Sequence, residues 1–165
     1  MNEFDLIEKY FKNLTKDNSG VVVGIGDDAA VINIPDDYEL ATSVDTLVED
    51  IHFFADADPF DIGFKTLAVN LSDMAAMAAE PRWVTLSLTL PEKNTEWIEQ
   101  FVEGFSELAN KYQVSLVGGD LTHGPLSISV QIMGVVPKLS AIQRSGAATG
   151  DLIYVSGQLG GAGLA

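Results

Sequence analysis

The sequence predicts an α+β domain in which a mixed sheet carries helices on one face. Three observations predict it. Two long segments, Pro59 to Ala78 and Thr95 to Tyr112, repeat apolar residues at helical spacing. Shorter ones, such as Val84 to Leu90 and Leu126 to Ile132, alternate apolar and polar side chains as half-buried strands do. The chain has 165 residues, 47% of them apolar, enough for one core without disulfide or metal staples.

The elements follow in order. Phe4, Ile7, Tyr10, Phe11 and Leu14 share one face of a first helix, and Thr15 to Gly20 is a polar loop. Val21 to Val23 reads as a short strand, interrupted by Gly24-Ile25-Gly26-Asp27-Asp28. Ala29 to Ile34 and Tyr38 to Val44 flank the turn Pro35-Asp36-Asp37 and are expected to pair as a hairpin. Asp45 to Asp58, rich in acids, reads as an exposed loop.

The second helix starts after Asp58, a good N-cap, with Pro59 at its first position, where the missing N–H costs nothing. Its stripe is Phe60, Phe64, Leu67, Ala68, Leu71, Met74, Ala75 and Ala78, and Pro81 ends it. The third helix is capped at Asn94 or Thr95 and turns Trp97, Ile98, Phe101, Phe105, Leu108 and Tyr112 inward. Val114 to Val117 is a strand expected to stop at Gly118-Gly119-Asp120, and Leu152 to Ser156 a last strand. Residues 1–150 are expected to form one domain, with 151–165 the glycine-rich start of a second.

Charge narrows the partners. With 24 acidic and 9 basic side chains the net charge is −15, so a nucleic-acid backbone would be repelled. There is no cysteine, which excludes disulfides, thiolate metal sites and cysteine nucleophiles. No apolar run reaches the ~18 residues of a membrane span. Met1 to Tyr10 is acidic and amphipathic, unlike a signal peptide. A cytoplasmic enzyme or binding domain is expected.

The informative acids are Asp28, Asp45 and Asp120, each read at a strand end, and Asp73, a mid-helix carboxylate beside the apolar stripe and three residues after Asn70. A mid-helix Asp bordering a core needs a partner. Converging carboxylates with so few cations call for divalent metal, and hard oxygen donors suit Mg²⁺, which binds through one or two carboxylates plus substrate phosphates. Glycines before Asp28 and Asp120 would let backbone approach a phosphate. Gly-Asp pairs are equally ordinary turn chemistry. His52 and His123 read as loop residues, Arg144 as a phosphate clamp or a solvated side chain, and Lys65 as an i,i+4 partner of Asp61. There is no Walker A loop.

Several segments taken together carry a resemblance. They are Gly24-Ile25-Gly26-Asp27-Asp28-Ala29-Ala30, Ser43-Val44-Asp45-Thr46-Leu47-Val48, His52-Phe53, and Lys65 through Asn70-Leu71-Ser72-Asp73-Met74-Ala75-Ala76-Met77. Gly118-Gly119-Asp120-Leu121-Thr122 and Arg144-Ser145-Gly146-Ala147 complete the set. In this order they resemble the N-terminal domain of the thiamine-monophosphate kinase family, within the aminoimidazole ribonucleotide synthetase-like superfamily.

The resemblance implies ATP-dependent phosphorylation of thiamine monophosphate to thiamine diphosphate by direct in-line transfer, with several Mg²⁺ ions. It implies a homodimer in which the sheets of two subunits form a central barrel. Position by position it implies metal contacts at Asp28, Ser43, Asp45, Asp73 and Asp120, nucleotide contacts at Gly119, Asp120 and Arg144, and a substrate contact at His52. Val44 departs from the family's frequent Thr and offers no hydroxyl. Family members are roughly twice as long and carry a second α/β domain. Two other readings stay open: a nucleotide-binding and dimerisation module alone, or a related superfamily enzyme with another substrate.

Overall fold

The computed structural model describes residues 3–16, 20–92, 94–155, 157 and 159, with the side chains of residues 3 and 4 left aside. Expectations for the Phe4 side chain, residues 17–19, Ser156 and most of the glycine-rich end lie outside the described residues.

Among the described residues, six strands and three α-helices form the domain. The first helix, α1 (Glu3–Leu6), widens into a π-turn (Ile7–Phe11) and tightens into a 3₁₀ turn (Lys12–Leu14). The predicted single face is therefore broken. Leu6, outside the predicted stripe, is fully buried, and so is Phe11 five residues on. The wider i→i+5 turn brings that pair toward one side.

The short strands β1 (Val21–Val23) and β2 (Val31–Ile32) pair antiparallel as a separate two-stranded sheet. The expected hairpin is thus not formed. β3 (Tyr38–Val48) instead pairs antiparallel with β6 (Ser127–Pro137), residue for residue along its length, from Tyr38↔Pro137 to Val48↔Ser127. A distant partner of matching length satisfies every backbone group of the strand on that side, which the short segment at Ala29 to Ile34 could not do. β3 also absorbs Asp45 to Val48, so only the later part of the expected acidic loop is a loop.

The main sheet has the order β3-β6-β4-β5, with β4 (Glu80–Leu90) and β5 (Ser115–His123) parallel and the other pairs antiparallel. It is mixed, as expected. Helix α3 (Thr95–Lys111) makes the crossover from β4 to its parallel neighbour β5. β5 runs straight through Gly118, Gly119 and Asp120, so these residues do not end the strand. A register shift between Val84↔Leu116 and Thr85↔Gly118 leaves Val117 as the bulged residue, and the glycines after it pair in register with Thr85 and Leu86. Leu152 to Val155 form no strand and are exposed.

Helix α2 (Pro59–Ala76) lies on one sheet face against β3, β4 and β6, and α3 packs against α2. Asp58 caps α2 through the Phe60 N–H, and Asn94 caps α3 through the Glu96 and Trp97 N–H groups. The buried side of α2 is turned from the predicted stripe: Ile62, Gly63, Thr66, Leu67, Asn70 and Met74 are buried, while Ala75 and Ala78 are exposed. Two glycines cause the turn. A Cβ on Gly63 would overlap the Phe101 carbonyl of α3, and one on Gly104 would overlap the Phe60 carbonyl of α2. The helices therefore cross backbone to backbone.

Val84, Leu86, Leu88 and Leu90 of β4 and Ile128, Val130 and Ile132 of β6 meet Leu67, Met74, Phe101 and Phe105 in the main core. On the other sheet face Trp83, Val117 and Val135 form a smaller cluster under Val21, Ala30 and Ile32 of the β1–β2 region. The remainder of that face is open. Leu40 and Val44 are exposed there, beside Thr46 and Ser129, whose hydroxyls are 2.8 Å apart.

Candidate functional site

Strand pairing fixes where each acid stands. Ser43 and Asp45 lie opposite Ile132 and Val130, which are buried in the main core, so both belong to the helix-side face of edge strand β3. Val44 points to the other face and is 63% exposed. From α2, the carboxylate of Asp73 accepts a hydrogen bond from the Ser43 hydroxyl, Oγ to Oδ2 at 2.5 Å. Asp73 thus has the partner its position demands. One turn earlier, the fully buried Asn70 donates through Nδ2 to the Thr66 carbonyl, while its Oδ1 has no partner among the described residues.

Asp120 stands elsewhere. It is level with Ser87 on β4, in the middle of β5, at the opposite edge of the sheet from Asp45. Three strand spacings separate those edges, roughly 14 Å along the sheet. A cavity of about 380 Å³ opens beside β5. Asp27, Asp28, Gly119 and Asp120 line it together with Ile7, Phe11, Leu86 and Leu116. Gly119 has φ +154, and a Cβ there would overlap the Leu86 carbonyl. The bare backbone at that point is required by its close approach to Leu86 on the neighbouring strand. Asp27 closes its own turn by accepting from the Asp28 N–H at 2.8 Å.

Within one chain the acids therefore form two groups, Asp28 with Asp120 and Ser43 with Asp73, and Asp45 shares a strand and face with Ser43. The expected meeting of four carboxylates does not occur: among the described residues no three His, Asp or Glu side chains are placed to hold one metal ion. The donor chemistry still fits Mg²⁺, which needs only one or two carboxylates when phosphates and waters complete its shell. Among the described residues none of these aspartates has a Lys, Arg or His ion pair, the pairs formed being Lys12–Glu8 and Arg82–Glu80.

His52 lies in a second cavity, about 390 Å³, with Asp50, Phe53, Phe54, Asp61 and Lys65 in its wall. The sequence picked out His52 but not its surroundings. Lys65 does not pair with Asp61 as expected; its ammonium donates to the His52 carbonyl at 2.6 Å. Arg144 is exposed in the segment after β6 and lines neither cavity.

An acid-lined cavity at the bulged edge of a mixed sheet, with helices on one face only, defines a class. Residues 26–136 match the family described as AIR synthase related protein, N-terminal domain, and the chain belongs to that family. Its relatives are more particular. It is 52% identical over 158 residues to the thiamine-monophosphate kinase of Buchnera aphidicola subsp. Acyrthosiphon pisum, covering 96% of this chain and 49% of that protein.

Solved structures agree. The crystal structure of thiamine-monophosphate kinase from Stenotrophomonas maltophilia K279a superposes with a TM-score of 0.80 at 46% identity, over 90% of this chain and 46% of that one. A structure of AaThiL complexed with AMPPCP and TMP superposes with a TM-score of 0.65 at 31% identity, over 88% and 45%. The chain spans about half the length of the curated relatives it matches.

Proposed function

We propose that this chain is the ATP- and Mg²⁺-binding, N-terminal part of an enzyme that phosphorylates thiamine monophosphate to thiamine diphosphate. The observation that carries the reading is the cavity shared by Asp28, Gly119 and Asp120, in a chain about half identical to thiamine-monophosphate kinases. Asp28 and Asp120 would hold Mg²⁺ at one side of the polyphosphate, and Ser43, Asp45 and Asp73 at the other. Bound there, the metal would offset phosphate charge as it builds up in transfer. Gly119 admits a phosphate close to the main chain, Arg144 contributes positive charge to the nucleotide, and His52 contacts the acceptor.

A terminal phosphate oxygen of thiamine monophosphate attacks the γ-phosphorus of ATP in line. The bond from that phosphorus to the β,γ-bridging oxygen breaks, and ADP leaves. The nucleophile is already an anion, so no strong general base is needed and no covalent phospho-enzyme forms.

A homodimer is part of the reading. Asp45 and Asp120 sit at opposite sheet edges, so one copy offers two half-sets of donors. Setting β3 of one copy beside β5 of the other closes both edges and closes the two sheets into a barrel. Both half-sets then flank one seam. Residues 1–150 would make up this domain and 151–165 lead into a second, in a cytoplasmic enzyme. Among the described residues no helix is long and apolar enough to cross a membrane.

The test is incubation of the chain with ATP, Mg²⁺ and thiamine monophosphate, following thiamine diphosphate and ADP by chromatography. Equimolar products support the reading. ADP without thiamine diphosphate overturns the acceptor. The alternative is a nucleotide-binding and dimerisation module, for which AMPPCP binds and neither product appears.

A further inference from the structure

The turn that carries His52 is held from three directions. Val48 accepts at its carbonyl from the N–H groups of Ile51 and His52, at 3.2 and 2.9 Å, and Asp50 donates to the Phe53 carbonyl at 2.8 Å. Asp50 has φ +62, a conformation uncommon for a residue with a side chain. The ring is held as well. The Val48 N–H donates to His52 Nδ1 at 3.1 Å. A ring nitrogen that accepts carries no proton, so the neutral imidazole bears its proton on Nε2.

The third hold comes from another element. Lys65, on α2, donates to the His52 carbonyl at 2.6 Å. That carbonyl belongs to the peptide leaving His52; with the His52 N–H already held on the Val48 carbonyl, both peptide planes flanking the Cα are held, and with them the direction of the Cα–Cβ bond. An exposed lysine with an aspartate one turn away would be expected to swing in solvent or pair with that acid. Lys65 does neither, and it lines the same cavity as His52.

We propose that Lys65 is a positioning residue for His52. Its ammonium clamps the turn so that Nδ1 stays on the Val48 N–H and the Nε2–H is kept as a donor to an oxygen of the acceptor substrate. The substrate part of this inference rests on the reading of His52 as an acceptor contact; the ring state does not.

The chain has two histidines, His52 and His123, so long-range ¹H–¹⁵N spectra of the imidazoles are simple to assign with His52→Gln. At about pH 8, above the ordinary imidazole range, wild type should show His52 as a single Nε2–H tautomer. Lys65→Met and Lys65→Gln should each show a mixture, and Lys65→Arg should restore the single form. Titrated with thiamine monophosphate, the Met and Gln variants should bind about three- to tenfold more weakly, the range for one lost hydrogen bond, and Arg should recover it. A single unchanged tautomer in both variants overturns the inference, as does failure of arginine to rescue. If the ring responds as stated but wild type ignores thiamine monophosphate, Lys65 keeps its role and the acceptor assignment falls.

Discussion

Ser43 and Asp73, thirty residues apart in sequence, join edge strand to helix through a hydroxyl–carboxylate hydrogen bond of 2.5 Å. The bond aims a half-buried carboxylate on α2 at the strand that also carries Asp45. Replacing Asp73 by Asn keeps an acceptor for Ser43 and removes the charge. Thiamine diphosphate formation should fall by about a hundredfold or more, the scale of losing a main electrostatic contact in transfer, with an unchanged melting curve. Ser43→Ala, which strands the carboxylate, should instead cost about 1 kcal/mol of stability in urea.

Gly63 and Gly104 permit α2 and α3 to touch along their backbones. Alanine at either position puts a methyl group into a carbonyl of the other helix. Each variant should lose about 3 kcal/mol, the upper range for overpacking, read as an earlier thermal transition. The double variant should cost less than the sum, because the first substitution already pushes the helices apart.

Just past the β5 bulge, two neighbouring substitutions should behave differently. Gly119→Ala drives a Cβ into the Leu86 carbonyl and should lower both stability and AMPPCP affinity. Asp120→Asn should leave the melting temperature alone and abolish the part of AMPPCP affinity that depends on Mg²⁺. Calorimetric titration with and without Mg²⁺ separates the two.

Val44 is exposed on the open sheet face, opposite in direction to Ser43. A charge there should be tolerated by the single chain, within about 0.5 kcal/mol as for other surface sites. Inside a barrel made by two copies it would be buried. Val44→Glu should therefore shift sedimentation toward monomer while leaving far-ultraviolet circular dichroism unchanged.

Local chemistry was legible in the sequence and distant pairing was not. Asp58 and Asn94 cap their helices as their side chains and the following residues indicate, because a cap depends on three or four neighbours. The need of Asp73 for a partner was legible too, from its place beside apolar residues, though nothing local named Ser43. The hairpin expectation failed because β3 takes its partner some ninety positions later. Gly118 and Gly119 read as a stop because a glycine pair ordinarily marks a turn, and only the facing strand β4 shows them in register with Thr85 and Leu86. The buried side of α2 was misjudged for a similar reason: Gly63 becomes an inward residue only when Gly104 of another helix lies against it. At the candidate site the sequence singles out the aspartates as candidates but not their division between two sheet edges, since strand order is invisible to spacing.

The outer margin of β3 is a row of main-chain groups from Tyr38 to Val48 whose sole ladder partner is β6. In the proposed homodimer that rim is covered by a second copy, and stability is then linked to protein concentration. Dilution through the range where the pair comes apart should then lower the melting point.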